Sequence, residues 1–75
     1  MYTSKGGENV DSKKIGARLR ELRGAKPQSE VAEACGVSNM AISLYESGER
    51  IPRDETKIAL AAFFKVTVES IFFAD

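Results

Sequence analysis

Few side chains in this 75-residue sequence could make or break bonds, and those few are poorly placed for it. There is no histidine, a single cysteine, no glycine-rich phosphate loop and no ligand set at metal spacing. Glu30 and Glu33 lie three apart, a spacing that could pair carboxylates for acid–base work but that ordinarily marks a solvated helix face. Cys35 falls on an apolar helical line, where a small core residue belongs, and a lone cysteine closes no internal disulfide. What remains is a set of uncharged side chains within Ser38–Ser47. At about 100° per residue, Met40, Ser43, Leu44 and Ser47 share the side of a helix opposite Ile42, with Asn39 flanking them near the N-terminus. Amides, hydroxyls and apolar tips displayed this way recognise a surface and catalyse nothing. The expectation is a binding module, with no enzyme activity, metal, cofactor or small-molecule ligand.

Two helical patterns broken by one glycine must hold that face. In Gln28–Cys35, Val31, Ala32 and Cys35 recur at i, i+1 and i+4 among polar and small residues, which predicts a short amphipathic helix. Gly36 follows, where a positive φ closes a helix without steric cost, and Val37 plugs the turn. Ser38 is the N-cap expected for a second helix, with Ile42 and Tyr45 turned inward.

The rest of the chain fits one small all-α domain. Residues 1–11 hold two glycines and no apolar periodicity, so they read as a flexible tail, with the domain spanning 12–75. No apolar run is long enough for a signal peptide or a membrane span, so a cytoplasmic protein without a membrane partner is expected. Ile15, Leu19 and Leu22 predict a first helix capped by Ser12. Gly24 and Pro27 end it and start the next. The segment 48–54 is a surface loop. A helix opening at Asp54 or Glu55 then shows Ile58, Ala61 and Phe64 at an inward spacing, with Leu60 beside them and Lys65 at its end. Thr67 caps a last short helix with Val68, Ile71 and Phe72 inward. Phe63 and Phe73 are left as core edges or as a contact for a second copy.

These residues resemble the helix-turn-helix of phage repressor and Cro proteins and of the similar bacterial regulators called the Xre family. Within the twenty-residue motif, Ala32 and Gly36 match its small fifth position and its turn glycine. Val31, Cys35, Val37, Ile42 and Tyr45 fill its apolar places. The likeness continues through Ile15–Arg23, the YESGERIPRDE segment and Val66–Phe73. It implies a five-helix phage-repressor-like DNA-binding domain, a transcriptional regulator with the helix Ser38–Ser47 in the major groove of an operator, and a repressor in preference to an activator. Carried over position by position, it assigns Ser38, Asn39, Met40, Ser43, Leu44 and Ser47 to base edges and Gln28 to a phosphate. It also implies a homodimer on DNA, with Phe72, Phe73 or Phe63 at the contact, and an ion pair between Arg23 and Glu46. Position supports that pair independently, since Glu46 lies only about 40° around the helix from Ile42 and needs a partner if buried. Pro27 departs from the pattern, because many relatives place a capping serine there.

Charge argues against the easy form of this reading. Eleven Lys and Arg balance eleven Asp and Glu, whereas DNA affinity rests on cations meeting phosphates. The distribution is uneven, however: residues 1–26 carry seven cations and three acids, 27–49 carry four acids and no cation, and Arg50 and Arg53 follow. Phosphate contacts must then come from the flanks, from Lys13, Lys14 and Lys26 on one side and Arg50 and Arg53 on the other. The competing expectation is a protein-interaction module, antitoxin-like or anti-repressor, docking through Met40 and Leu44 beside Glu30, Glu33 and Glu49.

Overall fold

The computed structural model describes residues 11–73, so residues 1–10 of the expected tail lie outside the described residues. Five helical elements follow one another without a strand among the described residues: α1 (Ser12–Arg23), α2 (Gln28–Cys35), α3 (Asn39–Ser47), α4 (Asp54–Phe64) and a closing π-helical turn, α5 (Glu69–Phe73).

The cap of α1 is Asp11, not the expected Ser12. Asp11 has extended backbone angles, and its Oδ1 accepts from the amides of Lys13 and Lys14, each at 3.1 Å. A carboxylate at this end satisfies two orphan donors and complements the helix dipole, which a hydroxyl one residue later does less well. Asp11→Ala is therefore expected to cost about 1 kcal/mol in denaturant unfolding, and Ser12→Ala much less. Equal effects of the two substitutions would return the cap to Ser12.

The helix α2 starts at Pro27, whose ring allows the entry geometry but supplies no side-chain cap. It ends at Gly36 with φ 71°, where the amide of Val37 donates to the Ala32 carbonyl at 3.0 Å. That closure turns the chain sharply enough for α3 to begin two residues later, under a Ser38 cap whose Oγ accepts from the Ala41 amide at 3.0 Å.

One core joins all five elements: Ile15 and Leu19 from α1, Val31 and Ala32 from α2, Ala41, Ile42 and Tyr45 from α3, Leu60 and Ala61 from α4, and Ile71 and Phe72 from α5. A void among Leu19, Val31, Ile42, Tyr45, Glu46, Leu60 and Phe64 measures about 10 Å³, the size of one water at most. Close packing of this kind makes α3 a rigid part of the body. The helices α1 and α3 approach until a Cβ built on Gly16 would sit 2.3 Å from the Glu46 carbonyl oxygen.

Two expected core positions differ, and one expected contact is lost. Leu22 is 37% exposed because the buried line of α1 runs through Ile15, Gly16 and Leu19 and ends at Arg23, drawn inward by Glu46. Ile58 is 63% exposed, since α4 turns Leu60 and Ala61 inward and Lys57 lies over the rings of Phe72 and Phe73 at about 5.6 and 5.5 Å. Phe72, offered above as a dimer contact, is buried in the core and is unavailable for one.

Candidate nucleic-acid interface

The site is one helix held from behind. Ala41, Ile42, Tyr45 and Glu46 of α3 are buried, so the side opposite Ile42 must face outward. There Asn39, Met40, Ser43 and Ser47 are exposed, Met40 to 67%, while Leu44 is half-buried at the edge. Ser38 precedes them, with its hydroxyl engaged as the cap.

Glu46 is what holds this helix to the other two at its base. Its side chain is 4% exposed, and it accepts from Arg23 Nε at 2.6 Å and Nη2 at 3.0 Å, the expected pair in a two-pronged form. A third bond comes from Gln28 Nε2 at 3.1 Å, and Arg20 Nε stands 4.0 Å away. Arg23 also donates through Nη1 to the Lys26 carbonyl at 2.7 Å, so one carboxylate ties α3 to α1, to the α1–α2 loop and to the start of α2. Burial pushes the Glu46 carboxyl up. The hydrogen bonds from Arg23 and Gln28 and the charges of Arg23 and Arg20 outweigh that and hold it below the usual carboxylate range.

The bond from Gln28 to Glu46 was not foreseen. Nothing in the spacing signals it, because it joins residues eighteen apart through a turn whose angle only the folded chain sets. With one N–H committed to Glu46, the Gln28 amide keeps its second N–H and its oxygen for another partner. The first-turn backbone amides of α2 beside it have no side-chain cap.

At the other end of α3, Ser47 Oγ lies 3.1 Å from the Leu44 carbonyl and 3.0 Å from Glu49 Oε2, so its proton is shared locally and its remaining capacity is as an acceptor. The acid beside it makes this end of the face less welcoming to phosphate than the Asn39 end. Arg50 and Arg53 are both exposed and line, with Val37, Ser38, Ala41 and Tyr45, an open cleft of about 610 Å³ beside the N-terminus of α3. The fold thus gathers Ser38, Arg50 and Arg53 around one end of the helix. Lys13, Lys14 and Lys26 are exposed as well, as are Glu30 and Glu33. Cys35 is half-buried, and burial raises its thiol pKa, which favours the inert thiol. Among the described residues no group of side chains is placed to hold a metal ion, and no helix is long and apolar enough to cross a membrane.

Comparison with known proteins agrees with this geometry. A family model described as helix-turn-helix matches residues 17–71. Among solved structures, the P22 c2 repressor protein in complex with a synthetic operator superposes with a TM-score of 0.78 at 30% identity, over 81% of this chain and 96% of that one. The restriction-modification controller protein C.AhdI from Aeromonas hydrophila gives 0.74 at 31% identity, over 83% and 97%. No curated protein sequence matches significantly.

Proposed function

The chain belongs to the Xre helix-turn-helix family, and from that premise we propose that it binds duplex DNA and regulates transcription, as a repressor, by inserting α3 into the major groove of an operator. The observation that carries this is the uncharged outer face of α3, exposed along its length while the inner side is clamped through Glu46. A recognition helix must project without bending, and this one is braced at both ends by capped turns and from behind by close-packed helices. The resemblance to a repressor held on operator DNA supports the same reading.

In this arrangement Asn39 reads adenine, since an amide can meet its N6 and N7 together. Met40 and Leu44 contact apolar features such as the thymine methyl, and Ser38, Ser43 and Ser47 add hydroxyls, which leans the site towards A·T pairs. Gln28, aimed by Glu46, and the uncapped amides at the start of α2 hold a phosphate. Arg50 and Arg53 hold the backbone on the far side. Two copies on half-sites about 34 Å apart double these contacts, which compensates for a neutral chain. Such a regulator works where the DNA is, in the cytoplasm, and has no catalytic step.

Asn39→Ala is expected to weaken binding to the preferred site by about 1–3 kcal/mol and binding to random duplex hardly at all, as titrations on the two DNAs will show. Arg53→Ala is expected to weaken both duplexes alike and to lower the salt slope by about one ion. If Asn39→Ala affects both DNAs equally, α3 does not face the groove through this side. The exposed Met40 favours a second reading, docking of this face on a protein partner; that reading requires wild-type binding to DNA to be absent or insensitive to salt.

A further inference from the structure

Tyr45 is 6% exposed, yet its hydroxyl makes no hydrogen bond among the described residues. A buried phenol ordinarily has a partner, because an unmet hydroxyl gives up its bonds to water on folding and gains none in return. Tyr45 borders two spaces. One is the core void of about 10 Å³, whose walls are apolar except for Glu46, already bonded to Arg23 and Gln28. The other is the cleft of about 610 Å³ beside the N-terminus of α3, a size typical of small-molecule sites. Its polar groups are also uncommitted. Arg50 and Arg53 line it, both exposed, and neither side chain has an ion pair or hydrogen bond among the described residues. The 11-residue helix α4 opens on the same wall without a side-chain cap, so its first-turn amides and the positive end of its dipole face an anion's place. Thr56 adds a hydroxyl that bonds to no described residue, and Glu55 adds an exposed acceptor.

We propose that this cleft binds a small sugar phosphate, with the phosphate at the start of α4 against Arg50 and Arg53 and a hydroxyl of the sugar bonded to Tyr45. Two guanidiniums and a helix start match a doubly charged phosphate. Glu55 on the same rim requires the ligand to offer donors as well, which sugar hydroxyls do and a bare anion does not. A phosphate of duplex DNA meets the exposed arginines from outside but cannot enter to a phenol that is 6% exposed, so the inner part of the cleft selects a free small molecule. The site is assembled from the α2–α3 turn, α3 and the loop into α4, and no spacing within one segment signals it; the sequence leads to the opposite expectation, of no small-molecule ligand. Because the ligand occupies the arginines assigned above to the DNA backbone, it competes with DNA. That consequence rests on the proposed function, whereas the binding itself is tested without DNA.

Amide NMR shifts of the wild-type chain are followed at constant ionic strength on adding glucose 6-phosphate, inorganic phosphate or glucose. Glucose 6-phosphate is expected to give saturable shifts at Val37, Ser38, Glu55 and Thr56 with a Kd of about 0.1–1 mM, inorganic phosphate weaker shifts of the same amides, and glucose none. Tyr45→Phe should melt at or above the wild-type temperature, because the lost hydroxyl bonds to no described residue. The same variant should bind glucose 6-phosphate about fivefold more weakly and inorganic phosphate as the wild type does. Arg53→Ala should weaken both ligands about tenfold. No saturable shift at the cleft up to about 20 mM glucose 6-phosphate, equal affinity for it and for inorganic phosphate, or a Tyr45→Phe variant that binds it as the wild type does would each overturn the proposal. Saturating glucose 6-phosphate should also weaken binding to duplex DNA. Binding in the cleft with DNA affinity unchanged would count against Arg50 and Arg53 as DNA contacts, and so against that part of the proposed function alone.

Discussion

Gly16→Ala is expected to lower the thermal midpoint by roughly 12–24 °C, the equivalent of about 3 kcal/mol in a domain of this size. Helix propensity alone predicts the opposite sign, since alanine in a helix interior is favoured over glycine by about 0.5–1 kcal/mol. Space decides between them. A Cβ at Gly16 would lie 2.3 Å from the Glu46 carbonyl oxygen, 2.7 Å from that of Tyr45 and 2.8 Å from the Glu46 carbonyl carbon. All three are backbone atoms of α3, so no side-chain rotation relieves the clash and the two helices must separate. Separation opens the core around Ile15, Leu19 and Ile42 and shifts the helix proposed to enter the groove. Ala17→Ser, one residue on and exposed, serves as the control and should change stability by no more than about 0.5 kcal/mol. A Gly16→Ala protein melting within a few degrees of wild type would mean that α1 and α3 do not approach this closely.

The second large effect is at the buried carboxylate. Arg23→Ala is expected to destabilise the fold by about 2–4 kcal/mol at neutral pH, because it strands Glu46, 4% exposed, with only the Gln28 amide and the more distant Arg20. The pH dependence identifies the cause. In the wild type the folded-state pKa of Glu46 is depressed, so its contribution is present above the unfolded glutamate value of about 4.3 and is lost as pH falls through the lower folded value. In the variant the bonds and charge of Arg23 no longer oppose burial, so the carboxyl lies higher than in the wild type and protonation relieves the stranded charge. The stability gap between the two proteins should therefore narrow from pH 7 to about pH 3 in denaturant unfolding. A gap that stays constant across that range would show that the arginine acts only by packing. Because Glu46 also orients Gln28, the same substitution should weaken binding to all duplexes alike, unlike Asn39→Ala.

Much of the recognition unit was legible because it is local. The order of helices, the Gly36 turn, the Ser38 cap and the outward face of α3 follow from periods of 3.6 residues and from backbone preferences that act within a few positions. The need of Glu46 for a partner was legible too, since its rotation towards Ile42 is a property of one helix, while Arg23 as that partner is what the family resemblance implies. The two core positions that differ share a cause. Leu22 and Ile58 stand at helical spacing with buried residues, yet charged residues take the inner place: Arg23 meets a carboxylate from α3, and Lys57 meets two aromatic rings from α5.

The sequence by itself determined the all-helical motif and which side chains α3 displays, for those depend on neighbours along the chain. Only the tertiary structure decided how those helices meet: that Gly16 lies against the α3 backbone, that Gln28 is bound to Glu46, and that Arg50 and Arg53 flank Ser38. It also decided that Phe72 is core while Ile58 and Phe73 are surface. Each of these depends on the rotation and crossing of one helix relative to another, which the packing of the whole core sets and which no periodicity within a single segment encodes.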